Sequence, residues 1–201
     1  MITLSNFTRV STEYSQWAYQ NGIWTFDITT QHDLEPYVRS AQYQKFNSML
    51  PIDNRQHYIQ GSDTTLDQTI SILDSLVFTK IKELVFNDPF EQPFKDRWPV
   101  TQDQFDSKFF AMTTLFKDPP NFSMGKHLDN QHVMGNAIIN LTDNDSSTIF
   151  LDYQNPKNKV FSTKGTKNTG VFFLNTPACL HTIENQHSDR YISNTVLMIK
   201  W

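Results

Sequence analysis

The second half of the chain consists of short segments in which apolar residues alternate with polar ones, and this pattern constrains the fold more than any other feature. Clusters of Pro, Gly, Asn and Asp separate these candidate strands from one another. Many short strands at such spacing are typical of a β-sandwich or jelly roll. The candidate strands are 107–117, 133–141, 147–152, 158–163, 169–175 and 190–200.

A long amphipathic helix is predicted before this β-rich half. Between residues 66 and 85, apolar side chains recur every three or four positions, which places them on one face of a helix. Asp63 or the threonines after it can cap the N-terminus of this helix. We expect the apolar face to cover one side of the sheet. It is formed by Leu66, Ile70, Leu73, Val77, Ile81 and Leu84.

The rest of the first half carries weaker signals. A second helix is predicted to begin at Asp33, with Pro36 in its first turn, and Ile23–Ile28 is predicted to be a short strand. Residues 87–104 contain three prolines and few aliphatic residues, so we expect a loop there, and we consider a lid over one face of the domain as its role. The second helix would align Leu34, Val38 and Met49 on one side.

Length and composition define the class of protein. With 201 residues, we expect one domain, 1–201, that is mainly β with supporting helices. In this interpretation, residues 1–106 are mostly helical support and a Pro-rich loop, and residues 107–201 form the jelly-roll core. Aromatic residues make up 13% of the chain, which favours a β-rich core, and the single cysteine excludes an internal disulfide.

Charge and hydropathy exclude several kinds of partner. A net charge of −4 argues against binding of duplex nucleic acid through bulk charge. The N-terminus lacks the pattern of a signal peptide, and no run approaches the roughly 18 apolar residues of a membrane span. We therefore expect a cytoplasmic protein with a small-molecule or peptide substrate and no membrane partner. The sequence leaves the oligomeric state open.

Three side chains of the β-rich half have the chemistry of a metal site. His127 and Asp129 are two residues apart, so in an extended chain they project to the same side. His181 follows a later strand that can lie beside them in a jelly roll. Two histidines and one carboxylate are the facial ligands of non-haem Fe(II) sites, which leave three coordination positions open. The alternatives are an ordinary ion pair or turn cap. His132 could compete as a ligand, but we expect it to support a ligand or to face the substrate.

An arginine extends this candidate site. Arg190 stands nine residues after His181, at the start of the last candidate strand. There its planar guanidinium group can enter the barrel next to the metal and bind a dicarboxylate in a bidentate manner. The alternative is a surface ion pair with Asp189 or Glu184.

Five segments within residues 107–201 resemble the prolyl-hydroxylase-like branch of the Fe(II)/2-oxoglutarate-dependent dioxygenase superfamily. The resemblance implies a double-stranded β-helix with Fe(II) on His127, Asp129 and His181, and with Arg190 on the distal carboxylate of 2-oxoglutarate. It also implies a hydroxylase that consumes 2-oxoglutarate and O2, releases succinate and CO2, and acts on a peptidyl or small amino-acid-like substrate. The segments are GKHLDN, AIINLTDND, STIFLDY, GVFFLNTPACLHTI and RYISNTVLMIKW.

The chain departs from this family pattern at three places. Ile192 stands where a Ser or Thr often follows the arginine, no Tyr ends the strand 133–141, and Ser146 and Ser147 replace a pair of glycines. The alternative function is therefore a non-catalytic jelly-roll module that recognises a sugar or a peptide. A third interpretation is a cupin-type metalloenzyme, for which only His127 and His132 approach the required histidine spacing.

Two asparagines are candidate replacements for the missing family residues. Counting by two places Asn136 and Asn140 on the same face of the strand 133–141. Buried amides need hydrogen-bond partners. Our hypothesis is that these two side chains line the pocket and bind 2-oxoglutarate, and the alternative is that this face points to solvent.

Overall fold

The structure is a computed structural model, and it describes residues 1–10, 22–47, 54–87, 95–96, 98–176, 179–184 and 187–200. The main helices are α1 (Glu35–Ser40), α2 (Thr64–Asn87) and α3 (Gln102–Lys108). The strands are β1 (Ile2–Arg9), β2 (Ile23–Thr30), β3 (Tyr43–Lys45), β4 (Gln56–Tyr58), β5 (Phe109–Asp118), β6 (Ser123–His127), β7 (Val133–Asn140), β8 (Ser147–Leu151), β9 (Lys159–Ser162), β10 (Thr169–Leu174), β11 (His181–Glu184) and β12 (Arg190–Ile199).

These strands form two antiparallel sheets. The major sheet has eight strands in the order β1-β2-β10-β7-β12-β5-β4-β3, and the minor sheet has four in the order β6-β11-β8-β9. From β5 onward the chain passes repeatedly between the sheets, which brings β7, β10 and β12 together in one sheet and β8 and β11 together in the other. The chain is thus mainly β, and this connectivity is consistent with the predicted jelly roll.

The major sheet is covered on both faces. On its outer face, the apolar stripe of α2 packs in one cluster with Ala137 and Ile139 of β7. On its inner face, Ile138 packs with Phe150 of the minor sheet and with Phe173. All eight residues of β7 are buried, as expected for a strand between two covering layers. The inner face is the one that carries the candidate site.

Predictions for the longer elements are confirmed. The helix α2 extends the predicted segment 66–85 by two residues at each end, and Asp63 caps it, because its Oδ1 accepts a hydrogen bond from the Leu66 N–H at 3.0 Å. The predicted strand Ile23–Ile28 is β2. The six strands predicted after residue 107 are β5, β7, β8, β9, β10 and β12, with bounds that differ by at most two residues.

The helix predicted from Asp33 is shorter than expected. It corresponds to α1, which ends at Ser40, and the chain then forms β3 by pairing with β4. The helix therefore does not extend to Met49, which lies outside the described residues. After Ser40 the chain does not continue as a helix, since β3 pairs with β4 and β4 pairs with β5 at the edge of the major sheet.

Two other predictions for the first half need correction. Residues 1–106 are less helical than expected, since β1 to β4 lie there and extend the major sheet on both sides. The loop predicted over 87–104 includes the start of α3, where Thr101 and Gln104 form a capping box that satisfies two backbone N–H groups. Residues 88–94 and 97 lie outside the described part of the chain, and the proposed lid role falls mainly on them.

Membrane insertion through a helix has no support in the described ranges. None of the helices found there is both long enough and apolar enough to cross a bilayer.

Candidate metal centre

The two sheets bring the three predicted metal ligands together. His127 ends β6 and His181 begins β11, and these two residues lie directly opposite each other in the antiparallel pair, with their ring centroids 4.2 Å apart. Asp129 follows in the connection between β6 and β7. The convergence predicted from the sequence is therefore observed, although β6 and β11 were not predicted as strands.

The geometry of the cluster suits one ion. One ligand atom from each residue can be chosen so that all three lie within 4.8 Å of one another. His127 Nε2 and Asp129 Oδ1 are 3.9 Å apart, which is too far for a hydrogen bond. The two groups are therefore not a directly bonded pair, and their spacing leaves room for an ion between them. His132, which could have competed as a ligand, does not belong to this cluster.

Backbone contacts fix which ring nitrogen of each histidine faces the cluster. The Nδ1 of His127 is 2.8 Å from the Gly125 carbonyl oxygen, and the Nδ1 of His181 is 2.9 Å from the Cys179 carbonyl oxygen. A carbonyl only accepts, so each Nδ1 carries the proton and each Nε2 presents its lone pair. Burial lowers the pKa of His181, helped by the nearby His127 and opposed by Asp129. A neutral imidazole is the form that binds a metal.

Two asparagines hold Asp129 and its loop in place. Asn136 Nδ2 donates to Asp129 Oδ2 at 2.5 Å, which leaves Oδ1 to face the histidines. The buried Asn175 Nδ2 donates to the backbone carbonyls of Asn130 at 3.0 Å and Val133 at 2.9 Å, and more weakly to that of Asp129 at 3.4 Å. Asn175 was not predicted from the sequence, and it ties the loop after β6 to the end of β10.

A cavity of about 250 Å³ lies beside the three ligand atoms, on the inner face of the major sheet. Its wall is largely apolar and includes Phe46 and Phe116, whose rings meet edge to face at 5.1 Å. Met112 is also part of the wall and is 46% exposed. The polar groups include Arg55 and Asn194, whose buried Oδ1 has no hydrogen-bond partner among the described residues. An organic ligand can therefore sit against the metal cluster.

Arg190 lies further from the candidate metal ligands than predicted from the sequence. With Asn140, it lines an adjoining cavity of about 410 Å³, and Ile138 lines both cavities. The cause is the register of β12. Val196 pairs with Asn136 at the metal end, whereas Arg190 stands at the other end of the same strand. The arginine thus enters the barrel as predicted, but one cavity away from the metal ligands.

The polar contacts of Arg190 lie inside the barrel. It is 1% exposed, its Nη1 donates to Asp118 Oδ2 at 3.0 Å, and its Nη2 donates to Thr148 Oγ1 at 3.4 Å. The alternative of a surface ion pair is wrong, because Asp189 pairs instead with Lys117 at 3.0 Å.

A second arginine shares this buried carboxylate. Arg55 binds Asp118 in a bidentate manner, with Nε to Oδ1 at 2.6 Å and Nη2 to Oδ2 at 2.8 Å. Burial acts to raise the pKa of Asp118, but the charge and hydrogen bonds of Arg55, followed by those of Arg190, outweigh it and hold that pKa below its ordinary value. Neither Arg55 nor Asp118 was predicted from the sequence.

The predicted asparagines are both inside the barrel. Asn136 is 3% exposed and Asn140 is 6% exposed, so the alternative of a solvent-facing strand face is wrong. Asn136 lies beside the metal cluster, with its Oδ1 buried and without a hydrogen-bond partner in the described part of the chain. Asn140 Nδ2 donates to the Lys164 carbonyl at 3.2 Å, within the cavity that Arg190 lines.

Comparison with known proteins supports the fold. No protein-family model and no curated protein matches the sequence. Among solved structures, this chain is similar to a prolyl hydroxylase from Trichoplax adhaerens in complex with a hypoxia inducible factor oxygen degradation domain peptide fragment, at 11% identity and a TM-score of 0.57 over 98% of this chain and 83% of that one. It is also similar to HygX from Streptomyces hygroscopicus with nickel and 2-oxoglutarate bound, at 8% identity and a TM-score of 0.57 over 94% and 87%.

The chain is also similar in structure to a Pseudomonas putida prolyl-4-hydroxylase, at 13% identity and a TM-score of 0.52 over 83% of this chain and 82% of that one. Identities this low show the fold alone. In fold, the chain is therefore similar to prolyl hydroxylases and to HygX, and this agrees with the fold that the sequence resemblance implied.

Proposed function

We propose that this chain is an Fe(II)- and 2-oxoglutarate-dependent oxygenase that hydroxylates a peptidyl or small amino-acid-like substrate and releases succinate and CO2. The observation that carries the proposal is the convergence of His127, Asp129 and His181 beside a cavity, in a fold shared with prolyl hydroxylases. Two neutral imidazoles and one carboxylate on one side leave the opposite side of an ion open to other ligands.

The residues present fit a ferrous ion. His127 and His181 present Nε2, and Asp129 presents Oδ1 while Asn136 occupies its other oxygen. When bound, iron and 2-oxoglutarate supply the oxidising chemistry, in which O2 is consumed. The chain's own part is to hold the ligands on one face, to orient the substrate and to keep water from the cavity, and the apolar wall with Phe46 and Phe116 serves this last role.

The residues at the far end of the barrel fit an anionic co-substrate. Arg190 and Arg55 are both buried and share the carboxylate of Asp118, so within the described ranges one positive charge is left over. A buried charge without a counter-charge is costly. We assign Arg190 to the distal carboxylate of 2-oxoglutarate, with Asn140 beside it, and Asn136 to the metal end of the same ligand.

The substrate class is inferred from the cavity wall and from the neighbours. The wall beside the metal cluster combines aromatic and aliphatic side chains with few polar groups, which suits the hydrocarbon part of an amino-acid side chain. The Trichoplax protein is bound to a peptide fragment. A peptide or a small amino-acid-like molecule is therefore the proposed substrate of this chain.

The test of this function is spectroscopic and then catalytic. Fe(II) and 2-oxoglutarate are added to the protein without oxygen, and we expect a visible charge-transfer band that requires all three components. With oxygen admitted, succinate formation is screened against amino acids and peptides, and at least one should raise it above the substrate-free rate. Absence of the band together with weak metal affinity contradicts the proposal and favours a non-catalytic module that binds a sugar or peptide.

Asn136 provides a finer test of the metal centre. Replacing it with alanine (Asn136→Ala) removes the hydrogen bond to Asp129 Oδ2, so the carboxylate loses its fixed orientation. We expect Mn(II) affinity, measured by calorimetry, to fall by about 10–100-fold. The exposed Gln131→Ala variant, in the turn that follows Asp129, is the matched control and should bind Mn(II) like the unchanged protein. Equal affinities in the two variants would show that Asn136 does not support the ligand.

A further inference from the structure

The co-substrate end of the barrel contains a buried cluster of three charges. Arg55 is 5% exposed, Arg190 is 1% exposed and Asp118 is fully buried. Arg55 uses two nitrogens on the two oxygens of Asp118, and Arg190 adds a third contact at 3.0 Å. Among the described residues, Asp118 is the only carboxylate that either guanidinium group contacts, so the cluster carries a net charge of one.

Arg55 makes more and shorter hydrogen bonds to the Asp118 carboxylate than Arg190 does. Its contacts are bidentate and short, at 2.6 Å and 2.8 Å, and its guanidinium carbon stacks over the rings of Phe116 and Phe122 at 4.4 Å and 5.0 Å from their centres. Arg190 makes one contact to Asp118, and its buried Nε has no hydrogen-bond partner within the described residues. Asp118 is therefore mainly neutralised by Arg55, and the charge of Arg190 is only partly cancelled.

We propose that Arg55 is a positioning residue that acts through Asp118 to keep Arg190 available as a cation for the distal carboxylate of 2-oxoglutarate. Without Arg55, Asp118 and Arg190 form a neutral buried pair, and a neutral pair attracts an anion weakly. This inference rests on the proposed function, and it adds a charge-balancing role for a residue outside the jelly-roll half of the chain.

The positive charges at the two ends of the pocket favour a ligand that carries two negative charges. A divalent ion and the Asp129 carboxylate together carry a net charge of plus one at the metal end. The cluster of Arg55, Asp118 and Arg190 also carries a net charge of plus one, at the far end of the pocket. The two carboxylates of 2-oxoglutarate neutralise both ends. A 2-oxo acid with one carboxylate leaves the far end charged and buried, which is unfavourable.

Charge-changing variants of Arg55 test this role. Arg55→Gln makes the cluster neutral, Arg55→Lys keeps its charge, and the double variant Arg55→Gln/Asp118→Asn restores a net charge of one by leaving Arg190 alone. The dissociation constant of 2-oxoglutarate is measured by calorimetry on the Mn(II)-loaded protein without turnover. We expect Arg55→Gln to weaken binding by roughly tenfold or more, and both other variants to stay within about threefold of the unchanged protein.

A second probe separates the cluster from the metal. Glutarate has the two carboxylates but lacks the keto group that chelates a metal, so its binding to the metal-free protein reports on the far end of the pocket. We expect the variants to rank in the same order for glutarate affinity as for 2-oxoglutarate affinity. Thermal unfolding of each variant checks that it is folded, and Arg55→Gln should fold because the pair of Asp118 and Arg190 remains matched.

The possible failures can be told apart. If the unchanged protein does not bind 2-oxoglutarate, the proposed function itself is wrong. If it binds but Arg55→Gln binds equally well, only the role of Arg55 is overturned. If the double variant is as weak as Arg55→Gln, Arg55 acts through packing on Phe116 and Phe122 and not through charge, and the proposal is again overturned.

Discussion

We expect the His127→Ala and Asp129→Ala variants to lose metal-dependent turnover of 2-oxoglutarate completely. Each change removes one of three ligands from a cluster that has no fourth candidate ligand among the described residues. Loss of a residue that merely supports a ligand costs about 10–100-fold in metal affinity, so loss of a ligand itself should exceed roughly 100-fold. The measurements are Mn(II) affinity by calorimetry and succinate formation from 2-oxoglutarate.

The matched control is His132→Ala. His132 lies three residues beyond Asp129 and is a histidine of the same loop, yet it is outside the cluster of ligand atoms. This variant should keep both Mn(II) affinity and succinate formation. Turnover in His127→Ala comparable to that of the unchanged protein contradicts the assignment of the metal centre. Loss of metal binding in His132→Ala but not in His127→Ala would move the centre to a different set of ligands.

The candidate metal ligands were predictable because the pattern that identifies them is largely local. His127 and Asp129 are two residues apart, and Arg190 stands nine residues after His181, at the start of the next strand along the chain. The strand β7 was also readable from the sequence, because it is a run of mostly apolar residues, as expected for a strand buried on both faces. The order of the strands then follows from the jelly-roll connectivity, which brings β6 and β11 side by side.

The partners of Arg190 were not predictable, because they depend on register between distant strands. Asp118 is the last residue of β5 and lies directly opposite Arg190 only because β5 and β12 pair over their whole length. In the sequence, Asp118 looks like the first residue of the turn Asp-Pro-Pro-Asn. One feature of the sequence did indicate that Asp118 faces inward. It is two residues from Phe116, so both side chains project from the same face of the strand, and Phe116 faces the inside of the barrel. No comparable feature of the sequence indicated that Arg55 enters the barrel.

The first strand was missed for a local physical reason. In β1, Ile2 and Leu4 alternate as expected, but the register then shifts between Ser5 and Thr8, and Asn6 adopts a positive φ of 54°. This bulge places Phe7, instead of residue 6, in the same cluster as Ile2 and Leu4. The alternation that identifies a strand is therefore interrupted in the middle. The strand β6 was missed because Met124 is its only buried residue.

Replacing Asp118 with alanine (Asp118→Ala) should have the largest effect on stability of any single change considered. It leaves two buried guanidinium groups without a carboxylate. Removing one partner of a buried ion pair costs about 3–5 kcal/mol, because the remaining charge stays buried and unpaired. We expect a loss of free energy of unfolding at the upper end of that range, measured by urea denaturation. The control is Asp189→Ala.

Asp189 makes an ion pair of the other kind. Its partner Lys117 lies at 3.0 Å, and both side chains are about one-third exposed. Exposed pairs contribute about 0–1 kcal/mol, so Asp189→Ala should change the free energy of unfolding by no more than that. Similar losses in Asp118→Ala and Asp189→Ala would mean that the buried cluster contributes no more than a surface pair.

The same cluster predicts a distinctive loss of stability in acid. The pKa of Asp118 is lower in the folded protein than in the unfolded chain, where an Asp titrates near about 3.9. A depressed pKa contributes stability that is fully present above the unfolded value and is lost as pH falls through the folded value. The free energy of unfolding should therefore decrease below about pH 4. The Arg55→Gln/Asp118→Asn double variant lacks this titration, so its curve should be flatter there, and parallel curves for the two proteins would contradict the assignment.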